Sequence, residues 1–291
     1  MPHINRTVLM SDAHHFRTDA AINPYYGDSD LDIKQAIAEH AAIKTALEQA
    51  GVTVISVPSP TDSQDGVYTA NWALVKGDTA ILSRLPTVRQ AEEAYARRAL
   101  EAQGKKVIEV PEGLRFSGQG DALACGKYLF CGQGYRSDET AQKFAADTLG
   151  YERIQLETIP ERSQSGEPVI NKVSGWADSF FYDIDLALAI IKHPSDTERG
   201  LIAYCPEAFT TDSQAILGAF DGVDKITISI HEAQEAFAAN LVSTGETVVM
   251  SAHAPELKDA LIAHGLSVIT PEVRELAKGG GYIRCTTLSL N

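Results

Sequence analysis

Cysteine is scarce in this sequence. Cys125, Cys131, Cys205 and Cys285 are the whole complement, and no two of them form a CxxC pair. That excludes the cysteine framework of a small disulfide-stapled domain. The eight histidines are scattered, with no HExxH and no paired Cys/His spacing, so structural zinc is not expected. Basic charge is short as well. Lys and Arg number 25 against 39 Asp and Glu, a net charge of -14, which argues against a general binder of nucleic acid or of anionic membrane surfaces. A small cationic substrate suits that balance, and so does plain solubility. No apolar run reaches the ~18 residues of a membrane span. The opening MPHINRTVLM has no long apolar core of a secretory leader. The expectation is a cytoplasmic protein with free thiols, no metal and no cofactor.

What is present is an ordinary globular composition, 44% hydrophobic and 22% charged, over 291 residues. That is enough chain to bury a sizeable core, and we read residues 1–291 as one domain. A weak repeat runs through it. Each unit has an amphipathic helix, a short β-branched strand, a loop ending in a small polar residue, and a hairpin. Three- and four-residue apolar spacing predicts helices over Ile33–Ala50, Arg89–Gln103, Glu139–Leu149, Asp212–Phe220 and Pro255–His264. Gly51, Gly104, Gly150 and Gly265 fit the position just past a helix end. The strands that follow read VTVISV, KVIEV, RIQLETI, KITISI and LSVIT.

The hairpins carry the stronger signal. Asn71, Asp121, Asp185, Asn240 and Cys285 each open one, at spacings of 50, 64, 55 and 45 residues. The last hairpin, CTTLSL, runs out with the chain. Its missing return strand can be supplied by RTVLMS at Arg6–Ser11, which would close a ring with no free sheet edge. A doubly wound sheet is the plainer alternative, but it predicts neither the polar opener in every hairpin nor the half-hairpin at the end. The expected fold is therefore a five-fold pseudosymmetric α/β propeller closed by its N-terminal strand. Rotation brings the five openers to one axial cleft. The segments after the return strands should rim it, bringing His14, His15, Arg89, Arg136 and His253 toward Cys285.

Those residues resemble the guanidino-group-modifying (pentein) superfamily, in particular its dimethylargininase-like and arginine dihydrolase-like branch. The matching stretches are INP (Ile22–Pro24), DGVYTAN (Asp65–Asn71), FSGQGDAL (Phe116–Leu123), GYRSD (Gly134–Asp138), FYDID (Phe181–Asp185), EAFAAN (Glu235–Asn240) and GGGYIRCTTLSL (Gly279–Leu290). They span nearly the whole chain, and the terminal block is the most specific. The resemblance implies a five-bladed ββαβ propeller and a hydrolase, or amidinotransferase, in which Cys285 attacks a guanidinium carbon. It implies that Arg136 and Arg89 hold the substrate's α-carboxylate and that Asn23 lies on an N-terminal lid. Asn71, Asp121, Asp183 and Asp185 would hold the cationic head, with Asn240 also at the substrate.

Two positions depart from that pattern. Ser117 stands where the family reads Glu, and Asp183 stands where it reads the catalytic His. An aspartate has a reference pKa of ~3.9 against ~6.5 for imidazole. Burial beside Asp185 would raise it, because two close carboxyls resist ionising together. The pair Asp183 and Asp185 would then serve as acid and base. His14, His15 or His253 entering from the rim is the second solution. The third is a changed relative that binds a small amino-acid-like ligand, or acts on another substrate. The expected partner is a small cationic amino-acid-like molecule; a homo-oligomer stays open.

Overall fold

The computed structural model describes residues 4–27 and 30–291. Five three-stranded sheets follow one another along the chain. β1 (Thr7–Ser11), α1 (Ile33–Gln49) and β2 (Thr53–Val57) begin the first. The second holds β3 (Ala73–Lys76), β4 (Thr79–Leu82), α2 (Ala91–Ala102) and β5 (Lys106–Glu109). The third holds β6 (Ala122–Cys125), β7 (Tyr128–Gln133), α3 (Glu139–Leu149) and β8 (Glu152–Glu157). The fourth holds β9 (Leu188–Lys192), β10 (Gly200–Tyr204), α4 (Thr211–Ala219) and β11 (Val223–Thr227). After α5 (Ile230–Glu235) comes the fifth, with β12 (Val242–Ser243), β13 (Thr247–Val249), α6 (Pro255–Ala263) and β14 (Ser267–Ile269). β15 (Leu288–Ser289) ends the chain's elements.

Every blade has the same pairing. An antiparallel hairpin supplies the inner and middle strands, and a helical crossover returns the outer strand parallel to the middle one. The inner and middle strands are mostly buried, whereas the outer strands are largely half-buried or exposed. The first blade is assembled from both chain ends. β15 pairs antiparallel with β1, Val8 opposite Ser289 and Leu9 opposite Leu288, and β1 pairs parallel with β2. The expected closure is thus present, but not the expected loss of edges. The five sheets are separate, so each keeps an inner and an outer edge strand.

The helices end on the glycines the sequence marked. Gly51, Gly104, Gly150 and Gly265 all have positive φ, which costs glycine little. α2 differs from its expected start: Thr87–Arg89 forms a separate 3₁₀ turn, and the helix begins at Ala91. α5 has no counterpart in the sequence reading. Among the described residues, no helix is long and apolar enough to cross a membrane.

Candidate active site

Short turns deliver the openers to the axis. Asn71 lies in the 3₁₀ turn Thr69–Trp72 ahead of β3, Asp121 follows the turn Gly118–Gly120 ahead of β6, and Asp185 lies in Ile184–Leu186 ahead of β9. Asn240 precedes β12 and Cys285 precedes β15. All five are buried, as is Asp183.

Cys285 is held from two sides. Its backbone N–H donates to Asn240 Oδ1 at 3.1 Å, and the Asn240 amide donates to its Sγ at 3.2 Å. The thiol points at Asp185 Oδ2, 3.5 Å away. Burial, then the charges of Asp185 and Asp183, push the thiol well above its usual range. The resting group is therefore a thiol, with an Asp185 carboxyl oxygen as its acceptor.

Three carboxyls share the interior. Burial pushes Asp121, Asp183 and Asp185 upward, and the Asp183 charge pushes Asp121 and Asp185 up further. Arg136 is the foremost opposing influence on Asp183. The three differ in how they are satisfied. Asp121 accepts from Ser137 Oγ at 2.8 Å and from the Ile184 N–H at 3.0 Å, so each of its oxygens already has a protein donor. Asp183 accepts from Asn71 Nδ2 through Oδ2 at 2.7 Å, and its Oδ1 has no partner among the described residues. Asp185 likewise keeps Oδ1 unpaired. Two buried carboxyl oxygens without donors call for N–H groups from something else.

The two arginines have different surroundings. Arg136 donates to the Ile22 carbonyl at 2.6 Å, and its guanidinium lies 4.7 Å from the Tyr182 ring centroid. Arg89 is engaged almost wholly within the protein: Glu92 takes two of its N–H groups at 2.8 Å, Asn71 Oδ1 another at 2.8 Å, and the Tyr68 and Asp65 carbonyls lie at 3.2 and 3.3 Å. Of five guanidinium donors, at most one is left for a ligand. Arg89 is therefore ill placed as the second half of a carboxylate clamp.

The segment bearing Asn23 packs on the Gly279–Gly280 turn. Asn23 donates to the Gly279 carbonyl at 3.0 Å and accepts from the Tyr25 N–H. Gly280 packs so tightly on Asn23 that an added Cβ would lie 2.6 Å from it. Tyr25 bonds the Phe180 carbonyl and packs on Phe180 and Phe237.

The rim histidines are not where the topology suggested. His14 pairs with Asp12, His15 with Ser59 and His253 with Glu272, and His14 and His253 are largely exposed. No hydrogen bond among the described residues joins any of them to Cys285 or Asp183. The rim inference treated each segment as facing inward, whereas these side chains turn to polar partners outside. Sequence reasoning in turn passed over Glu92, Ser137 and Arg284. Arg284 is held by Gln119 and Thr287, and it opposes the upward push on Asp185. Among the described residues, no group of three or more His, Cys, Asp or Glu is placed to hold a metal ion.

A family profile described as N,N dimethylarginine dimethylhydrolase, eukaryotic, matches residues 11–291. The bifunctional arginine dihydrolase/ornithine cyclodeaminase AgrE of Nostoc sp. is 30% identical over 286 residues, covering 96% of this chain and 37% of AgrE. The N(G),N(G)-dimethylarginine dimethylaminohydrolase of Mycobacterium tuberculosis is 29% identical over 289 residues, covering 98% and 86% of the two chains. The crystal structure of the N-terminal domain of ArgZ, a cyanobacterial arginine dihydrolase, bound to its substrate, superposes with a TM-score of 0.84 at 27% identity, covering 98% and 97%. The chain spans little more than a third of the bifunctional relatives, 37% of each.

Proposed function

The chain belongs to the N,N-dimethylarginine dimethylhydrolase family, and on that footing we propose that it is a cysteine-dependent hydrolase of an arginine-like guanidino compound. The relatives' named substrates, arginine and dimethylarginine, set the class. The five blades act here as one domain with one active site.

The observation that carries this reading is the pair of unpaired oxygens, Asp183 Oδ1 and Asp185 Oδ1, buried beside the Cys285 thiol. A guanidinium supplies the N–H donors they lack, and its charge offsets theirs. The same charge lowers the cost of forming a thiolate, so activation waits for substrate. Asp185 takes the Sγ proton, and Sγ bonds to the guanidinium carbon. The C–N bond to the leaving nitrogen breaks as Asp183 or Asp185 returns a proton to it. An amidino thioether remains on Cys285. Water adds to it and gives a proton to the carboxyl pair. The C–S bond breaks, leaving a ureido product and the thiol. Raised carboxyl pKa values suit this acid–base work near neutral pH.

Arg136 spends one hydrogen bond on the Ile22 carbonyl, far fewer than Arg89 makes within the described residues, and we assign it the α-carboxylate. Asn240 orients the nucleophile, Asp121 ties the Ile184 turn in place, and Asn23 seals the cleft.

A substrate panel tests this. Arginine, methylated arginines and agmatine are scored for released amine and ureido product. One of the amino-acid substrates should turn over in the wild type and not in Cys285→Ala. No turnover in the wild type, with hydrolysis appearing in Asp183→His, would make the protein a binder that has lost the reaction.

A further inference from the structure

Asn71 faces a guanidinium on one side and a carboxyl on the other. Guanidinium groups donate and never accept. The side-chain oxygen of Asn71 must therefore face Arg89, as it does at 2.8 Å. That orientation turns the amide nitrogen to Asp183 Oδ2 at 2.7 Å and to Ser117 Oγ at 2.9 Å. Arg89 is itself held in register by the two-pronged pair with Glu92. Glu92 is fully buried and fastened by Ser63 Oγ at 2.6 Å and by the Trp72 indole at 3.0 Å.

We propose that Glu92 and Arg89 are positioning residues that lock the flip state of the Asn71 amide, so that Asp183 always meets an N–H donor and never a carbonyl oxygen. Glu92 and Arg89 act through Asn71 and do not touch the reacting atoms. A flipped Asn71 would set oxygen against oxygen at that short distance, which the site tolerates only with a proton on Asp183. The locked form favours the carboxylate, and the flipped form the acid. The relay explains why two buried charges sit one shell behind the thiol. Its catalytic consequence rests on the reading that Asp183 transfers protons.

Asp183 is faced from all sides by groups that also set its titration. Arg136 follows β7, Arg89 precedes α2, Ser117 and Asp121 flank the turn before β6, Tyr182 and Asp185 share its own segment, and Cys285 precedes β15. Burial pushes Asp183 up, and Arg136, Ser117, Asn71 and Arg89 draw it down.

The experiment follows the ¹³Cγ shift of Asp183 against pH in full-length protein labelled at aspartate Cγ, the signal assigned by its absence in Asp183→Asn. The double variant Arg89→Gln/Glu92→Gln removes the ion pair as a unit and frees the amide to flip. Its Asp183 midpoint should rise by about one pH unit, a tenfold change in proton affinity. Arg89→Lys, which keeps the charge but loses the fork, should show a smaller rise of about threefold. Ser63→Ala should lower stability without moving the midpoint. If the double variant folds with Asp183 titrating as in the wild type, the proposal is overturned. Should it not fold, an unmoved midpoint in Arg89→Lys overturns it equally. The acid limb of kcat/KM is read in the same variants. A midpoint that moves while the limb stays would remove Asp183 from the chemistry and leave the positioning role standing.

Discussion

A thiol lined by carboxyls is a poor nucleophile until a cation arrives, and much of the chemistry of this site follows from that fact. Asp183 tests it at a single position. Asp183→Asn keeps the shape and an acceptor for Asn71, and removes the ionisable group. We expect kcat/KM to fall about 10²- to 10⁴-fold with no loss in unfolding midpoint, since a buried carboxyl is relieved; steady-state kinetics beside thermal denaturation checks both. Gly120 tests the geometry. An added Cβ there would lie 2.7 Å from Asp183 Oδ2, so Gly120→Ala must part Asn71 from Asp183. A cost of about 1–3 kcal/mol in denaturant unfolding is expected, with a disproportionate drop in kcat. The meeting of Asn71, Asp185 and Cys285 was legible in the sequence, because each opens its hairpin; Asp183 was legible only through the resemblance of FYDID to the family pattern. The role of Arg89 was not. The sequence put Arg89 on the cleft rim as a carboxylate binder, whereas the turn at Thr87–Arg89 buries it against Glu92 in the first turn of α2.

At the scale of elements, the closing strand is the feature most open to test. β15 is only two residues long, yet it completes the first blade beside β1 and follows Cys285 by three positions. Leu288 is fully buried and packs in one cluster with Leu9 and Trp72. Leu288→Ala should cost about 2–5 kcal/mol in equilibrium unfolding and should also lower activity, because the strand fixes where the thiol sits. A stability loss with kcat intact would separate closure from catalysis. The half-hairpin made this strand legible, and the glycines made the helix ends so. The long excursion between β8 and β9 was not legible. Its two isolated bridges, Arg162 with Pro168 and Ile170 with Ala177, have no helical or alternating pattern. It nonetheless carries Trp176, over which Arg115 and Arg136 stack, and Asn171, which bonds the Ala21 carbonyl of the N-terminal segment.

Over the whole molecule, buried ionisable groups set the pH dependence of stability. Burial pushes Asp65 up to about 6 from 3.8. Between those values the folded protein keeps a proton that the unfolded chain has lost, so this group's contribution falls as pH rises. Burial pushes His40 down to about 4 from 6.5, and there the unfolded chain holds the extra proton, so stability rises over nearly the same window. The two slopes oppose. Asp65→Asn should remove the falling contribution of this group: the wild-type minus variant difference in unfolding free energy should fall by about 2 kcal/mol from pH 4 to pH 7, read from denaturant melts at each pH. Cys285 itself is settled by intact-mass spectrometry of acid-quenched turnover with arginine and methylarginines. A substrate-derived adduct should appear during turnover, map to the peptide bearing Cys285, and vanish together with all product in Cys285→Ala. Product formation by Cys285→Ala at the wild-type rate, with no adduct in either protein, would contradict the covalent mechanism.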